Sequence, residues 1–242
     1  MGPVQRYLER APRPELAGLL HCVWTLEAAE GRLQRVIPDG CIDLIWINGE
    51  LQMVGPDTVA RVVGLPPGTG VAGVRMLPGA APLLLGEVPT SELLDLQVSL
   101  PQLWGRRGRA LADRLAGAES PTDTALRLER FAVEMLPGFE RDRAVEAAVA
   151  ALDGSQPPSV PELADALGLS ERHFRRRFTS VVGYGPKTLA GVLRMRRAMR
   201  LDAGAAGGLA GVAGAVGYAD QAHMNREFRR LSGLTPADLL DT

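Results

Sequence analysis

The chain has 242 residues, enough for two modest domains, each with its own core. Its 27 Lys+Arg nearly cancel its 28 Asp+Glu, so whole-chain charge points to no partner, and two cysteines cannot build a disulfide framework or a four-sulfur zinc site. Arg6, Glu9, Arg10, Arg13 and Glu15 among prolines do not make a secretory signal, and the longest uncharged stretch, 203–219, is mostly glycine and alanine, so the expectation is a soluble, cytoplasmic protein with no membrane partner.

Residues 16–77 predict about six short strands, each bounded by Gly, Pro or Asp. They run over 19–26, 34–37, 41–47, 51–54, 59–63 and 70–76, with turns at Pro38-Asp39-Gly40 and Asn48-Gly49. That spacing suits a small antiparallel β-barrel or sandwich. Helices follow Pro78. Residues 82–85 read as a brief turn, Thr90-Ser91-Glu92 as a capped helical start, and 103–115 and 122–136 as amphipathic helices. Pro137-Gly138 breaks the pattern and divides the chain into 1–138 and 139–242.

Charge separates along the same line. From Arg141 onward there are 14 Lys+Arg against 11 Asp+Glu, which leaves 13 against 17 before it. A nucleic-acid footprint is therefore expected in the C-terminal part. Lys187 is the only lysine, and so strong an arginine bias fits a G+C-rich genome as well as a function.

Two helix-turn-helix patterns stand in tandem there. The first runs Leu163-Ala164, Gly168-Leu169-Ser170, Phe174, Phe178, then Gly183 and Pro186. The second runs Val212-Ala213, Gly217-Tyr218-Ala219, Met224, Phe228, then Gly233 and Pro236. In each, a glycine that tolerates a left-handed turn ends a short helix, and Ser170 or Asp220 caps the next. The second helix carries apolar residues four apart, with basic or amide residues on its other face. This is the pattern of a helix that docks in a major groove.

With Leu193-Arg194-Met195-Arg196-Arg197-Ala198 and Gly233-Leu234-Thr235-Pro236, residues 141–240 resemble the AraC/XylS type of bacterial transcription regulator. The resemblance implies an all-α domain of seven helices, with two recognition helices held by a long connecting helix. The joining segment 203–208 is richer in glycine than such linkers usually are. The first half resembles a cupin-like domain of unassigned function found ahead of such DNA-binding domains. The matching residues are Trp24, Pro38-Asp39-Gly40 with Asp43-Leu44-Ile45, Val54-Gly55-Pro56, Gly73-Val74-Arg75 with Pro78-Gly79, and Leu103-Trp104-Gly105. The expected fold class is thus α+β: a small cupin-like antiparallel barrel with helices, then a double helix-turn-helix.

On the first recognition helix Arg172, His173, Arg175 and Arg176 occupy positions from which such proteins contact DNA, and arginine suits bidentate contact with guanine. Arg177 fits a solvated or phosphate-bound role better. On the second, Gln221, His223, Asn225 and Arg226 hold the corresponding positions. Lys187, Arg194, Arg196 and Arg197 suit backbone neutralisation or salt bridges at the core edge. The expected partners are double-stranded promoter DNA, a small-molecule effector, RNA polymerase for an activator, and a second copy of the chain.

In the first half, Trp24, Asp43, Trp46 and Arg75 are the candidates for an effector pocket, while the tryptophans suit a core better than a ligand wall, Asp39 suits turn capping first, and an Asp43–Arg75 pair suits structure or a pocket equally. Gly68 to Gly73 spells G-x-G-x-x-G, but no helix follows it, which excludes a dinucleotide site. A metal site from His21, Cys22, Cys41, Asp39 and Asp43 is disfavoured because neighbours His21 and Cys22 should face opposite ways in a strand. A nucleophilic Cys41 is disfavoured because Asp39 and Asp43 oppose a thiolate. No metal, no cofactor and no catalytic constellation is expected. Two rival readings stand beside this: an enzyme domain fused to a DNA-binding domain, which suffers from the shortage of histidine, and a ligand-independent regulator whose first half is only an interaction module.

Overall fold

The computed structural model describes residues 6–240. Its first half holds β1 (Arg6–Arg10), β2 (Leu20–Ala28), β3 (Arg32–Val36), β4 (Ile42–Ile47), β5 (Glu50–Val54), β6 (Arg61–Leu65), β7 (Thr69–Met76) and β8 (Gln97–Ser99). Six of them form one antiparallel sheet in the order β1-β2-β7-β4-β5-β8. The expected barrel is not formed. β3 and β6 pair with each other as a separate ribbon, so the sheet stays open with β1 and β8 at its edges.

Strand alternation sorts the sheet's residues to two faces. Val23, Leu44, Met53, Val74 and Met76 pack on one side beneath α1 (Pro82–Leu85), α2 (Leu100–Trp104), α3 (Arg106–Ala116) and α4 (Pro121–Glu134). Leu26, Ile45 and Val71 take the other side and meet Leu65 of the ribbon. The helix expected over 103–115 is broken at Gly105 into α2 and α3. The capped start expected at 90–92 is a 3-10 turn, Thr90–Leu93, with Pro89 ahead of it and no side-chain cap.

The second half contains α5 (Arg143–Leu152), α6 (Val160–Ala166), α7 (Glu171–Val182), α8 (Pro186–Met199), α9 (Gly208–Ala215), α10 (Gln221–Ser232) and α11 (Pro236–Leu240). These are the seven helices the resemblance implies. The connecting helix α8 serves two cores. Leu189, Ala190 and Leu193 join the cluster of α5, α6 and α7, while Val192, Met195 and Ala198 join that of α9 and α10. The glycine-rich segment before α9 is folded. Asp202 Oδ1 accepts from the amides of Gly204 and Ala205 at 2.8 and 3.1 Å, and Gly207 and Gly208 adopt φ of 82° and 83°, which non-glycine residues rarely do.

The halves meet along both helix-turn-helix units. On the first, Gly183 lies so close to Pro56 that a Cβ there would come within 2.4 Å of its Cγ, and Gly40 lies against Leu189. On the second, the amide of Ala60 donates to Leu231 O at 2.6 Å and Ile37 packs on the core of α9 and α10.

Candidate functional site

The second helix of each helix-turn-helix unit starts at a local side-chain cap. Ser170 Oγ accepts from the His173 amide at 3.3 Å at the start of α7, and Asp220 Oδ1 accepts from the His223 amide at 2.6 Å at the start of α10. Gly168 and Gly217, with φ of 64° and 84°, turn the chain into these caps. Phe174, Phe178, Met224 and Phe228 are buried, each at most 1% exposed, so the opposite faces of both helices are outward.

Arg172, His173, Arg175 and Arg176 are exposed on α7. Arg175 pairs with Glu171 at 3.2 Å within the helix, whereas Arg172 and Arg176 face solvent with no ion pair among the described residues. Arg177 is tied to Asp142 by two bonds of 2.7 and 3.0 Å, a brace for α5. On α10, Gln221 and Arg226 are exposed. His223 and Asn225 are half-buried, and the His223 ring sits edge-on to Tyr218 at 5.3 Å. Arg194 lies over the Tyr218 ring at 5.1 Å and near Glu227, and Arg197 pairs with Asp153 at 3.2 Å. These two are core-edge ion pairs. Lys187 is exposed, and Arg196 Nη1 donates across to Asp39 O at 3.1 Å.

A second feature lies in the first half. Between the open sheet and the β3–β6 ribbon is a cleft of about 420 Å³ that continues into a lobe of about 370 Å³, the two sharing Trp24, Gln34, Asp43 and Arg75. The first lobe is the more polar and adds Asp39 and Asp57; the second is walled by Ile45, Ile47, Val63, Leu65 and Val71. Trp24, Asp43 and Arg75 come together at this cleft. Trp24 Nε1 donates to Asp43 Oδ1 at 2.7 Å, and Arg75 Nε donates to the same carboxylate at 3.1 Å. Arg75 also lies 5.7 Å from the Trp24 ring centroid and within 3.6 Å of Asp39 and Glu9. Burial raises the Asp43 carboxyl's pKa, and Arg75 works against that rise. Trp24 can lie flat across β7 because position 73 is glycine; a Cβ there would meet the indole at 2.7 Å.

Trp46 is not part of this cleft. It lies three residues from Asp43, an odd step along β4, and packs on the helix-covered face. Gln34 and Asp57, which the sequence did not single out, do line the cleft. Gln34 is on β3, where alternation alone would place it with Val36 once the strand is known. Asp39 caps its turn, with Oδ1 accepting from the Cys41 amide at 2.8 Å, and its Oδ2 lies 3.6 Å from Arg75 Nε.

Burial pushes the Cys41 thiol well above its usual range, with Asp39 and Asp43 adding to the effect, which disfavours the thiolate. The G-x-G-x-x-G segment enters β7, which stays extended to Met76, so it opens no helix. Among the described residues no helix is long and apolar enough to cross a membrane.

Residues 163–242 match a family described as a helix-turn-helix domain, and residues 8–99 match a domain of unknown function, DUF6597. No curated protein matches the chain by sequence. Among solved structures, ToxT from Vibrio cholerae is similar at 10% identity over 97% of this chain and 98% of that one, with a TM-score of 0.49. Wild-type ToxT from Vibrio cholerae strain SCE256, described as bound to unsaturated fatty acid, is similar at 10% identity over 96% of each chain, with a TM-score of 0.48. The C-terminal unit is a helix-turn-helix domain of the AraC type, and it follows an N-terminal domain of unassigned function.

Proposed function

We propose that this AraC-type transcription regulator reads promoter DNA with α7 and α10 under the control of a small molecule held between the sheet and the β3–β6 ribbon. The observation that carries the reading is the double duty of that ribbon. Gln34 and Val36 wall the cleft, while Arg35, on the same strand, donates to Ser232 O at the end of α10. A ligand that moves the ribbon therefore moves a contact of the second reading unit. Coupling of this kind needs only a difference in affinity between two ribbon positions.

The cleft also limits the effector's chemistry. An apolar body suits the lobe of Ile45, Ile47 and Val71, and a hydrogen-bonding head suits Asp43, Arg75 and Gln34, whose Oε1 is buried without a protein partner. On DNA, Arg172, Arg175, Arg176, Gln221 and Arg226 would reach the groove, with His223 and Asn225 nearer the helix–core boundary. RNA polymerase is the further partner of an activator, and a second copy is the partner on a repeated operator.

The test pairs a thermal-shift screen of the full chain against metabolites with footprinting on its own upstream region. The expected result is a compound that raises the melting temperature and changes protection in the half-site read by α10. Absence of any salt-sensitive promoter binding would remove the DNA-reading claim. A cleft-bound compound that leaves the footprint unchanged would remove the control claim alone.

A further inference from the structure

We propose that Glu9, His21 and Cys22 form a binding site for a borderline-soft divalent transition metal of the Zn²⁺ class. The ligand atoms of the three side chains all lie within 4.8 Å of one another. Simple strand alternation would put neighbours His21 and Cys22 on opposite faces, but the register of β2 against β7 shifts between Leu20 and Cys22. The consequence is visible on either side of the shift: Leu20 and Val23 both point into the helix-covered core. That leaves His21 and Cys22 together on the other face, where β1 brings Glu9 alongside through its pairing with Trp24. A bulge that re-aims a side chain in this way commonly serves a site.

The donor set is one nitrogen, one sulfur and one carboxylate oxygen. Zn²⁺ accepts that mixture in tetrahedral geometry, whereas Ca²⁺ and Mg²⁺ require oxygen throughout. Three protein ligands leave a fourth position for water or another small ligand. The electrostatics permit a cation despite two nearby arginines, because Glu9, Asp39 and Asp43 face Arg75 and Arg196 in this region. Deprotonating Cys22 on binding adds a further negative charge. Glu9 must release Tyr7 and Arg75, and its exposure leaves it room to turn.

The experiment is titration of the reduced full-length chain with Co²⁺, followed by competition with Zn²⁺. A thiolate-to-cobalt absorption in the near ultraviolet, with visible bands of a tetrahedral ion, is expected at one equivalent, and Zn²⁺ should abolish both. Cys22→Ser should remove the near-ultraviolet band, and Cys41→Ser should leave it. His21→Ala and Glu9→Gln change exposed side chains, so the fold should tolerate them, and each should weaken binding roughly tenfold or more. No absorption with the wild-type chain overturns the proposal. So does a band that survives Cys22→Ser, or unchanged affinity in both His21→Ala and Glu9→Gln. If Cys22→Ser fails to fold, the two exposed variants decide the matter.

Discussion

Arg35 of β3 donates from Nη1 to the carbonyl oxygen of Ser232, the last residue of α10, at 3.0 Å. A guanidinium is thereby placed where a helix leaves carbonyls unpaired and its dipole is negative. Arg35→Ala should cost about 1 kcal/mol of stability, since the group is partly exposed. The more telling expectation is functional: promoter binding should persist while its response to any cleft ligand shrinks. Footprints with and without ligand check this, and a full response in the variant would count against the ribbon as the route.

Arg176→Ala and Arg226→Ala should each cost about 1–3 kcal/mol on the specific operator and far less on random DNA, because a base contact discriminates and a phosphate contact does not. Arg177→Ala is the contrast within the same helix. Its guanidinium is held by Asp142, so its loss should lower stability and leave the preference for operator over random DNA unchanged. Equilibrium binding to both DNAs at one salt concentration separates the cases.

Phe178→Ala should cost about 3–5 kcal/mol and abolish all DNA binding by unfolding the domain. The ring is fully buried and lies tilted by 59° against that of Phe174, with centroids 5.6 Å apart. A variant that stayed folded and lost only operator binding would mean the helix presents its other face.

Gly73→Ala should destabilise the first half by about 1–3 kcal/mol, as overpacking does. The added methyl would displace the Trp24 ring and break its bond to Asp43. Tryptophan fluorescence and denaturant unfolding would register both effects, and unaltered emission with wild-type stability would count against that packing.

Asp57 gives a pH dependence with a definite sign. Burial raises its pKa from 3.8 to about 6, against the opposing charge of Arg61. A carboxyl that keeps its proton longer in the folded state contributes most below pH 4 and loses that contribution as pH rises to about 6. The difference is at most ~3 kcal/mol at ~1.4 kcal/mol per pKa unit. Asp57→Asn should therefore match the wild type near pH 4 and exceed it above pH 6 in urea unfolding. Parallel stability profiles for the two proteins would contradict this.

The two helix-turn-helix units were legible in the sequence because what makes them is local. Phenylalanines four apart, a glycine able to turn left-handed, and Ser170 or Asp220 at a helix start act over a few residues, and each is found doing what its spacing implies. The strands of the sheet were legible for the same reason, except β1 and β8. RYLER lies exposed along its whole length and shows no alternation, and β8 has only three residues. Long-range pairing decided the rest. Whether β3 joins the sheet or pairs with β6 sets open sheet against barrel, and only the assembled chain settles it. A register shift at Leu20 turned His21 onto the same side as Cys22, against the parity that regular strand geometry implies. The cleft of Asp43 and Arg75, and the reach of Arg35 to Ser232 across 197 residues, depend on segments far apart in sequence, and no local preference encodes their meeting.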